Sequence, residues 1–335
     1  MREEQGLDKV RFLMLGVGGM GQHHILRLKE SPEVEIVGLA DLSPNSIAAT
    51  RQRFPDLADT PAFTDYQEAL RKVEADAAVI STPHNQHMEQ GIACLEAGLH
   101  VLMEKPFVSG SANAERLIAL AKEKGKHLAV SYQRHLQGPY LYLRQLVESG
   151  ALGTINFVSA YQAQAWLKNT AGTWRQDPEF ACGGQLNDSG SHLLDVVLWI
   201  TGLEPSEVTA FIDNRSAQVD IDTALSVRFE GGAIASFNVV GSSSINWWED
   251  VSVNGDKGTA LYRNGSLYVA REGEKTPSQV PPEEFPASSS PDRNFVELIL
   301  GRIPEAAAPA SSGLRIARLT EAAWQSAETG QPVKL

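Results

Sequence analysis

At 335 residues the chain is long enough for two domains, each able to bury a core. Its 29 basic and 41 acidic residues leave a formal charge of −12, which argues against nucleic acid or an anionic membrane as the main partner. The first ten residues hold no apolar signal core, no apolar run approaches the ~20 residues that cross a bilayer, and Cys94 and Cys182 match no metal spacing, so a cytoplasmic protein with free thiols and no metal is expected.

Val10 to Leu15 is a short apolar run of the length of a buried parallel strand. Gly16-Val17-Gly18-Gly19-Met20-Gly21 follows at once and fits G-x-G-x-x-G, with helical sequence behind it. In that pattern Gly16 permits the tight turn, Gly18 lets a pyrophosphate approach the backbone, and Gly21 lets the helix pack on the strand. The helix N-terminus then offers free N–H groups and a positive dipole end to phosphates. A second strand, Glu35 to Ala40, ends in Asp41, 20 positions after Gly21, where an acid accepts hydrogen bonds from an adenosine ribose. His23 and His24, which open the first helix, read as packing or capping residues.

Ala77 to Ser81 is apolar and leads into Thr82-Pro83. Met88, Gly91, Ile92 and Leu95 repeat at helical spacing, and Gly98 ends that helix. His100 to Met103 is another strand, followed by Glu104-Lys105-Pro106. Ala114, Leu117, Ile118 and Ala121 make the next helical stripe, stopped by Gly125, before a strand from Leu128 to Ser131. This rhythm predicts a doubly wound parallel sheet with helices on both faces, over residues 1–130. Ligands on such sheets bind beyond the carboxyl ends of the strands, so Gly16, Asp41, Thr82, Glu104, Lys105 and Gln133 are expected to share one crevice. Val17, Gly19, Met20, Ser81 and Pro83 join them as candidate dinucleotide contacts. A lysine at position 105 can bond both a cofactor ribose and a substrate hydroxyl.

After Gly150 the character changes. Ala224 to Phe229 and Ala233 to Val240 flank Glu230-Gly231-Gly232; Val251 to Asn254 precedes Gly255-Asp256-Lys257-Gly258; Tyr262 and Leu267 flank Arg263-Asn264-Gly265-Ser266. These are hairpin signals, interrupted by one helix near Ser191 to Thr201. Residues 131–335 therefore read as an α+β domain with a largely antiparallel open sheet. Pro281 to Pro291 reads as a surface loop, and Ile316, Leu319, Ala323 and Ala327 lie on one face of a late amphipathic helix. The hairpin strands carry apolar residues on both faces, which predicts contact with a second copy of the chain. Trp247-Trp248 fits a core or subunit contact.

The densest polar cluster is Gly183-Gly184-Gln185-Leu186-Asn187-Asp188-Ser189-Gly190-Ser191-His192-Leu193-Leu194-Asp195. A helix starting near Ser189 puts Asp188 and His192 four positions apart on one side, where they could orient an imidazole to take a hydroxyl proton. Asp188 also fits a plain N-cap and His192 a packing residue. Asp195, a turn further on, reads as structural. Trp166 fits either a stacking wall for a sugar face or the core. His84 and His87 could line the cofactor crevice.

Taken together, G-V-G-G-M-G-Q-H-H at 16–24, E-K-P at 104–106, W-R-Q-D-P at 174–178 and G-G-Q-L-N-D-S-G-S-H-L-L-D at 183–195 resemble the glucose–fructose oxidoreductase / inositol dehydrogenase family, Gfo/Idh/MocA. One departure is Cys182, where a glycine often precedes Gly183. The resemblance implies a Rossmann domain, a C-terminal sheet domain used in oligomer contacts, and NAD(P)-dependent redox chemistry on sugars or polyols. It implies Lys105, Asp188 and His192 as the catalytic group, His87 at a family position, and Trp174 and Arg175 near the nicotinamide end of the cofactor; Trp166, from its own chemistry, joins Lys105, Asp188 and His192 as a substrate-binding candidate. The expected protein is an NAD(P)-dependent oxidoreductase, a homo-oligomer (dimer or tetramer), acting on a secondary hydroxyl of a sugar, polyol or glycoside. Asp41 favours NAD over NADP. Two alternatives stay open: an NAD-dependent glycosidase using transient oxidation and elimination, and a non-enzymatic dinucleotide sensor.

Overall fold

The computed structural model describes residues 9–335; the reading of the first ten residues falls largely on residues 1–8, outside that range. The chain forms two compact units. Among the described residues, the first holds those from residue 9 to Tyr132 together with Ser289–Leu314, and the second holds Gln133–Ser288 and Arg315–Leu335. Ser289–Leu314 thus returns to the first unit, whereas a single division at residue 130 would leave it with the second.

The first unit is a six-stranded sheet in the order β3-β2-β1-β4-β5-β6, built from β1 (Val10–Leu15), β2 (Val34–Ala40), β3 (Ala62–Phe63), β4 (Ala77–Ile80), β5 (His100–Met103) and β6 (Leu128–Val130). Every pairing in it is parallel. β4 is buried along its whole length, which is why it reads as a continuous apolar run without alternation. The returning segment is part of this core: Phe295, Val296 and Leu298 pack with Phe12, Met14 and Leu102. It also covers the open edge of β6, where Val130 N–H donates to the Ala308 carbonyl. Its helix, Pro291–Ile299, starts with a signal present in the sequence: Ser290 Oγ accepts from Arg293 N–H, and Pro291 occupies the first helical position.

The second unit is a nine-stranded mixed sheet ordered β14-β13-β12-β11-β7-β10-β9-β8-β15. Its strands are β7 (Ile155–Ala163), β8 (Pro205–Asp213), β9 (Asp222–Phe229), β10 (Ile234–Val240), β11 (Trp248–Gly255), β12 (Gly258–Arg263), β13 (Ser266–Arg271), β14 (Ser278–Gln279) and β15 (Val333–Lys334). Only β7 and β10 run parallel; the other pairings are antiparallel. Leu225, Val227, Phe237, Val239, Val251 and Val253 line the buried face. The opposite face of β9 and β10 carries the apolar Ala224, Ile234 and Val240 among Asp222, Ser226, Arg228, Ser236 and Asn238. Ile234 of β10, Phe157 of β7, Phe211 of β8 and Trp248 of β11 are exposed large apolar residues of the sheet. The helix Gly190–Thr201 lies on the buried face and starts against the sheet: a Cβ on Gly190 would meet the Val239 methyls at 3.2 Å.

The glycines of the first turn differ in what they allow. Gly16 has φ +84°, and a Cβ there would lie 2.7 Å from the Ser81 carbonyl carbon. A Cβ on Gly21 would collide with the Gly16 carbonyl oxygen, whereas one on Gly18 would meet nothing within 4 Å. Gly21→Ala should therefore lower the unfolding free energy by about 1–3 kcal/mol through overpacking. Gly18→Ala should stay within about 1 kcal/mol of the parent. Equilibrium urea denaturation of both variants checks the contrast.

Candidate functional site

In the first unit the site grows from the point where strand order reverses, between β1 and β4. Ser81 Oγ donates to the Gly16 carbonyl at 2.8 Å, tying the two strand ends together. The helix Gly19–Leu28 begins there with Gly18 as its cap and no side chain bonded to its first amides. Asp41, at the end of β2, accepts from Val17 N–H at 2.9 Å and from Ser43 N–H at 2.8 Å. Its carboxylate therefore fixes both the glycine turn and the start of the next helix. Met20 is exposed beside this turn.

Thr82 and the Glu104–Pro106 segment are joined through His87. The ring is fully buried, with Nε2 3.0 Å from the Thr82 carbonyl and Nδ1 2.9 Å from that of Pro106. Burial pushes its pKa below the ordinary value. Thr82 Oγ1 donates to Gln90 at 2.7 Å, Pro83 precedes the short turn of residues 84–86, and the Lys105–Pro106 peptide bond is cis. Glu104 is 6% exposed; Oε2 accepts the Lys105 N–H at 3.1 Å and Oε1 lies 3.0 Å from His24 Nε2. His24 is buried and faces Asp292 on its other side, while His23 is exposed. Burial alone would depress the pKa of His24, but Asp292 and Glu104 outweigh it and raise it to about 10. Packing was the expectation for His24; a buried ion network is what the fold makes of it.

Gln133 opens the second unit, just past β6. There the polar cluster is held from below by Asp220, a residue the motifs did not mark. Its carboxylate accepts from Gly184 N–H at 2.8 Å, Leu186 N–H at 2.7 Å and the Trp324 indole at 3.1 Å. Burial pushes its carboxyl above the usual range against the pull of those bonds. Gly183 (φ +132°) passes close to the Trp324 ring, and Cys182 itself is left-handed at φ +53°, which accounts for glycine being common at that position.

Asp188 is 4% exposed, and Oδ2 accepts from Trp166 Nε1 at 2.9 Å and Arg175 Nε at 3.2 Å. His192, 8% exposed, lies one helical turn on, with its backbone N–H on the Ser189 carbonyl. The Arg175 guanidinium also stacks 4.4 Å above the Trp174 ring. Trp166 is 2% exposed, packs with Val219 and Ile221, and donates its indole N–H to Asp188. Asp195 is 2% exposed and pairs with His135 at 2.8 Å, whose ring stacks on Trp199. Trp247 and Trp248 are both partly exposed. Among the described residues no helix is long and apolar enough to cross a membrane.

Residues 10–132 match the family described as "Oxidoreductase family, NAD-binding Rossmann fold", and residues 140–261 match the GFO/IDH/MocA C-terminal domain. The chain belongs to the GFO/IDH/MocA family of oxidoreductases. Its first unit is the family's NAD-binding Rossmann fold. Among relatives, scyllo-inositol 2-dehydrogenase (NADP(+)) IolW of Bacillus subtilis is 27% identical over 212 residues, which is 63% of this chain and 56% of that protein. The uncharacterized oxidoreductase YrbE of the same organism is 25% identical over 96% of this chain and 95% of its own length. Levoglucosan dehydrogenase, solved with NADH and levoglucosan, shares the fold with a TM-score of 0.87 at 20% identity, covering 97% of this chain and 99% of that one.

Trp166→Phe separates the two roles open to that side chain. It keeps the bulk of the ring but takes a donor from buried Asp188, which should cost about 1–3 kcal/mol of stability. Turnover should fall roughly tenfold with KM little changed, since orientation is lost and substrate contact is not. A variant with raised KM and unchanged kcat would instead mark Trp166 as a substrate wall.

Proposed function

We propose that this GFO/IDH/MocA oxidoreductase transfers a hydride between a nicotinamide cofactor and a secondary hydroxyl of a sugar or an inositol-like polyol, in the cytoplasm. The observation that carries the reading is the buried Asp188 with His192 one turn further along the same helix start. Relatives named for scyllo-inositol and levoglucosan support polyhydroxylated rings as the substrate class.

The residues present fit a dinucleotide. The open backbone at Gly18 and Gly19 and the uncapped helix start suit a pyrophosphate. Val17, Met20, Ser81, Thr82, Pro83, His87, Glu104, Gln133, Trp174 and Arg175 complete the proposed cofactor set around Gly16, Gly21 and Asp41. When bound, the nicotinamide takes up or returns the hydride. An imidazole nitrogen of His192 accepts the hydroxyl proton, Asp188 directs a hydroxyl of the substrate, and the Lys105 ammonium holds the reacting oxygen. Asp41 favours a free 2′-hydroxyl over a 2′-phosphate. Arg51 and Arg53, which donate to the Thr60 carbonyl and to Gln22, keep dual use of NADP open.

The decisive experiment pairs a panel of inositols, aldoses, anhydrosugars and glycosides, followed by NADH absorbance, with His192→Ala. Net NADH formation is expected with NAD, at a higher kcat/KM than with NADP; aglycone release without net NADH would instead indicate a glycosidase. His192→Ala should retain NAD affinity and lose kcat by roughly 10²–10⁴. A folded variant with near-parental turnover would remove His192 from the chemistry.

The open face of the second sheet, with Phe157, Phe211 and Ile234, is the proposed contact between copies in a dimer or tetramer. Light scattering that finds a monomer at micromolar concentration would refute it.

A further inference from the structure

The proposed mechanism uses Lys105 but not the ion network beside it. His24 is fully buried, with Nδ1 2.6 Å from Asp292 Oδ1 and Nε2 3.0 Å from Glu104 Oε1. A neutral imidazole carries one N–H and can donate to only one of these oxygens; the other contact would set a lone pair against a carboxylate. Only the imidazolium donates to both. The second oxygen of Glu104 accepts the Lys105 N–H at 3.1 Å. The network therefore runs Asp292, His24, Glu104, Lys105 backbone, through three segments far apart in the chain.

The charged groups facing His24 are few. Glu104 comes from the segment after β5 and Asp292 from the helix Pro291–Ile299. Behind Asp292, Arg27 of His24's own helix lies 3.6 Å from Oδ2. His87 braces the far side of the same segment through the Pro106 and Phe107 carbonyls, at 2.9 and 3.1 Å.

We propose that His24, held as an imidazolium by Asp292, is a positioning residue for Lys105: it fixes Glu104, and Glu104 fixes the backbone from which the lysine reaches cofactor and substrate. This assigns a functional task to the Ser289–Leu314 return, which delivers Asp292. It rests on the role given to Lys105 above.

Asp292→Asn keeps the shape and removes one of the two charges. With one carboxylate left, His24 loses its proton at lower pH than in the parent, whose His24 holds it to about 10. NAD affinity, measured by calorimetry without substrate, should match the parent at pH 6. It should weaken roughly tenfold relative to the parent as pH rises to 9, a misplacement effect. A merely structural Asp292 predicts a lower melting temperature with a parental pH profile. A folded variant whose NAD affinity tracks the parent at every pH overturns the proposal.

Should the variant not fold, the parent protein decides through its histidine nitrogen NMR signals. Both ring nitrogens of His24 protonated at pH 8 supports the proposal, and a neutral ring overturns it. Lys105→Ala run in parallel keeps the two ideas apart. If it changes NAD affinity and Asp292→Asn does not, only the positioning role fails; if Lys105→Ala changes neither affinity nor kcat, the role of Lys105 fails and this one with it.

Discussion

A carboxylate taken out of water must find donors, and here the donors are the backbone amides of the loops that carry the candidate site. Asp41 takes Val17 and Ser43. Asp220 takes Gly184 and Leu186, and Asp222 takes Gly241 and Ser242. Glu104 takes Lys105. Charge-assisted bonds of this kind are about twice as strong as neutral ones. Asp41, Asp220 and Asp222 thereby tie loops to acids on other segments, while Glu104 and Lys105, like Asp41 and Ser43, are joined within one segment.

That arrangement explains what the sequence could and could not disclose. The strand ends, the glycine turn and the helix start at Gly190 are local events, written in adjacent residues. β5 was legible to the residue, as His100–Met103. The partners that fix those turns are not local. Nothing near residue 184 indicates that Asp220 will accept its amide, and nothing near residue 24 points to Asp292, 268 positions away. Trp166 shows a second limit: an indole can stack or donate, and the burial and the bond to Asp188 that bear on the choice are not visible in the residues around it. The helix Pro291–Ile299 was partly legible, since Ser290 and Pro291 make an N-terminal signal, but the Pro- and Ser-rich run before it dominated the reading.

Buried ions add little stability compared with well-packed apolar residues of the same volume, because desolvation consumes most of their attraction. A Met or Leu at position 24 would fill its space without that cost. What an apolar side chain cannot supply is direction. The imidazolium donates one N–H to Asp292 and the other to Glu104, and Glu104 in turn accepts an amide one residue away.

The same reasoning divides labour between Asp188 and His192. Oδ2 of Asp188 already accepts an indole N–H and a guanidinium N–H, which fills the two lone-pair positions of that oxygen. Such an oxygen is oriented but has no acceptor site left for a substrate proton. This occupancy supports the proposed role of Asp188 as an orienting group and not as the base. Histidine is the side chain whose unperturbed titration lies near neutrality, which is why His192 is the group proposed to take the proton. Arg175 ties this to the W-R-Q-D-P motif: the arginine next to Trp174 reaches Asp188, so the motif and the helix start form one electrostatic unit within the second sheet domain.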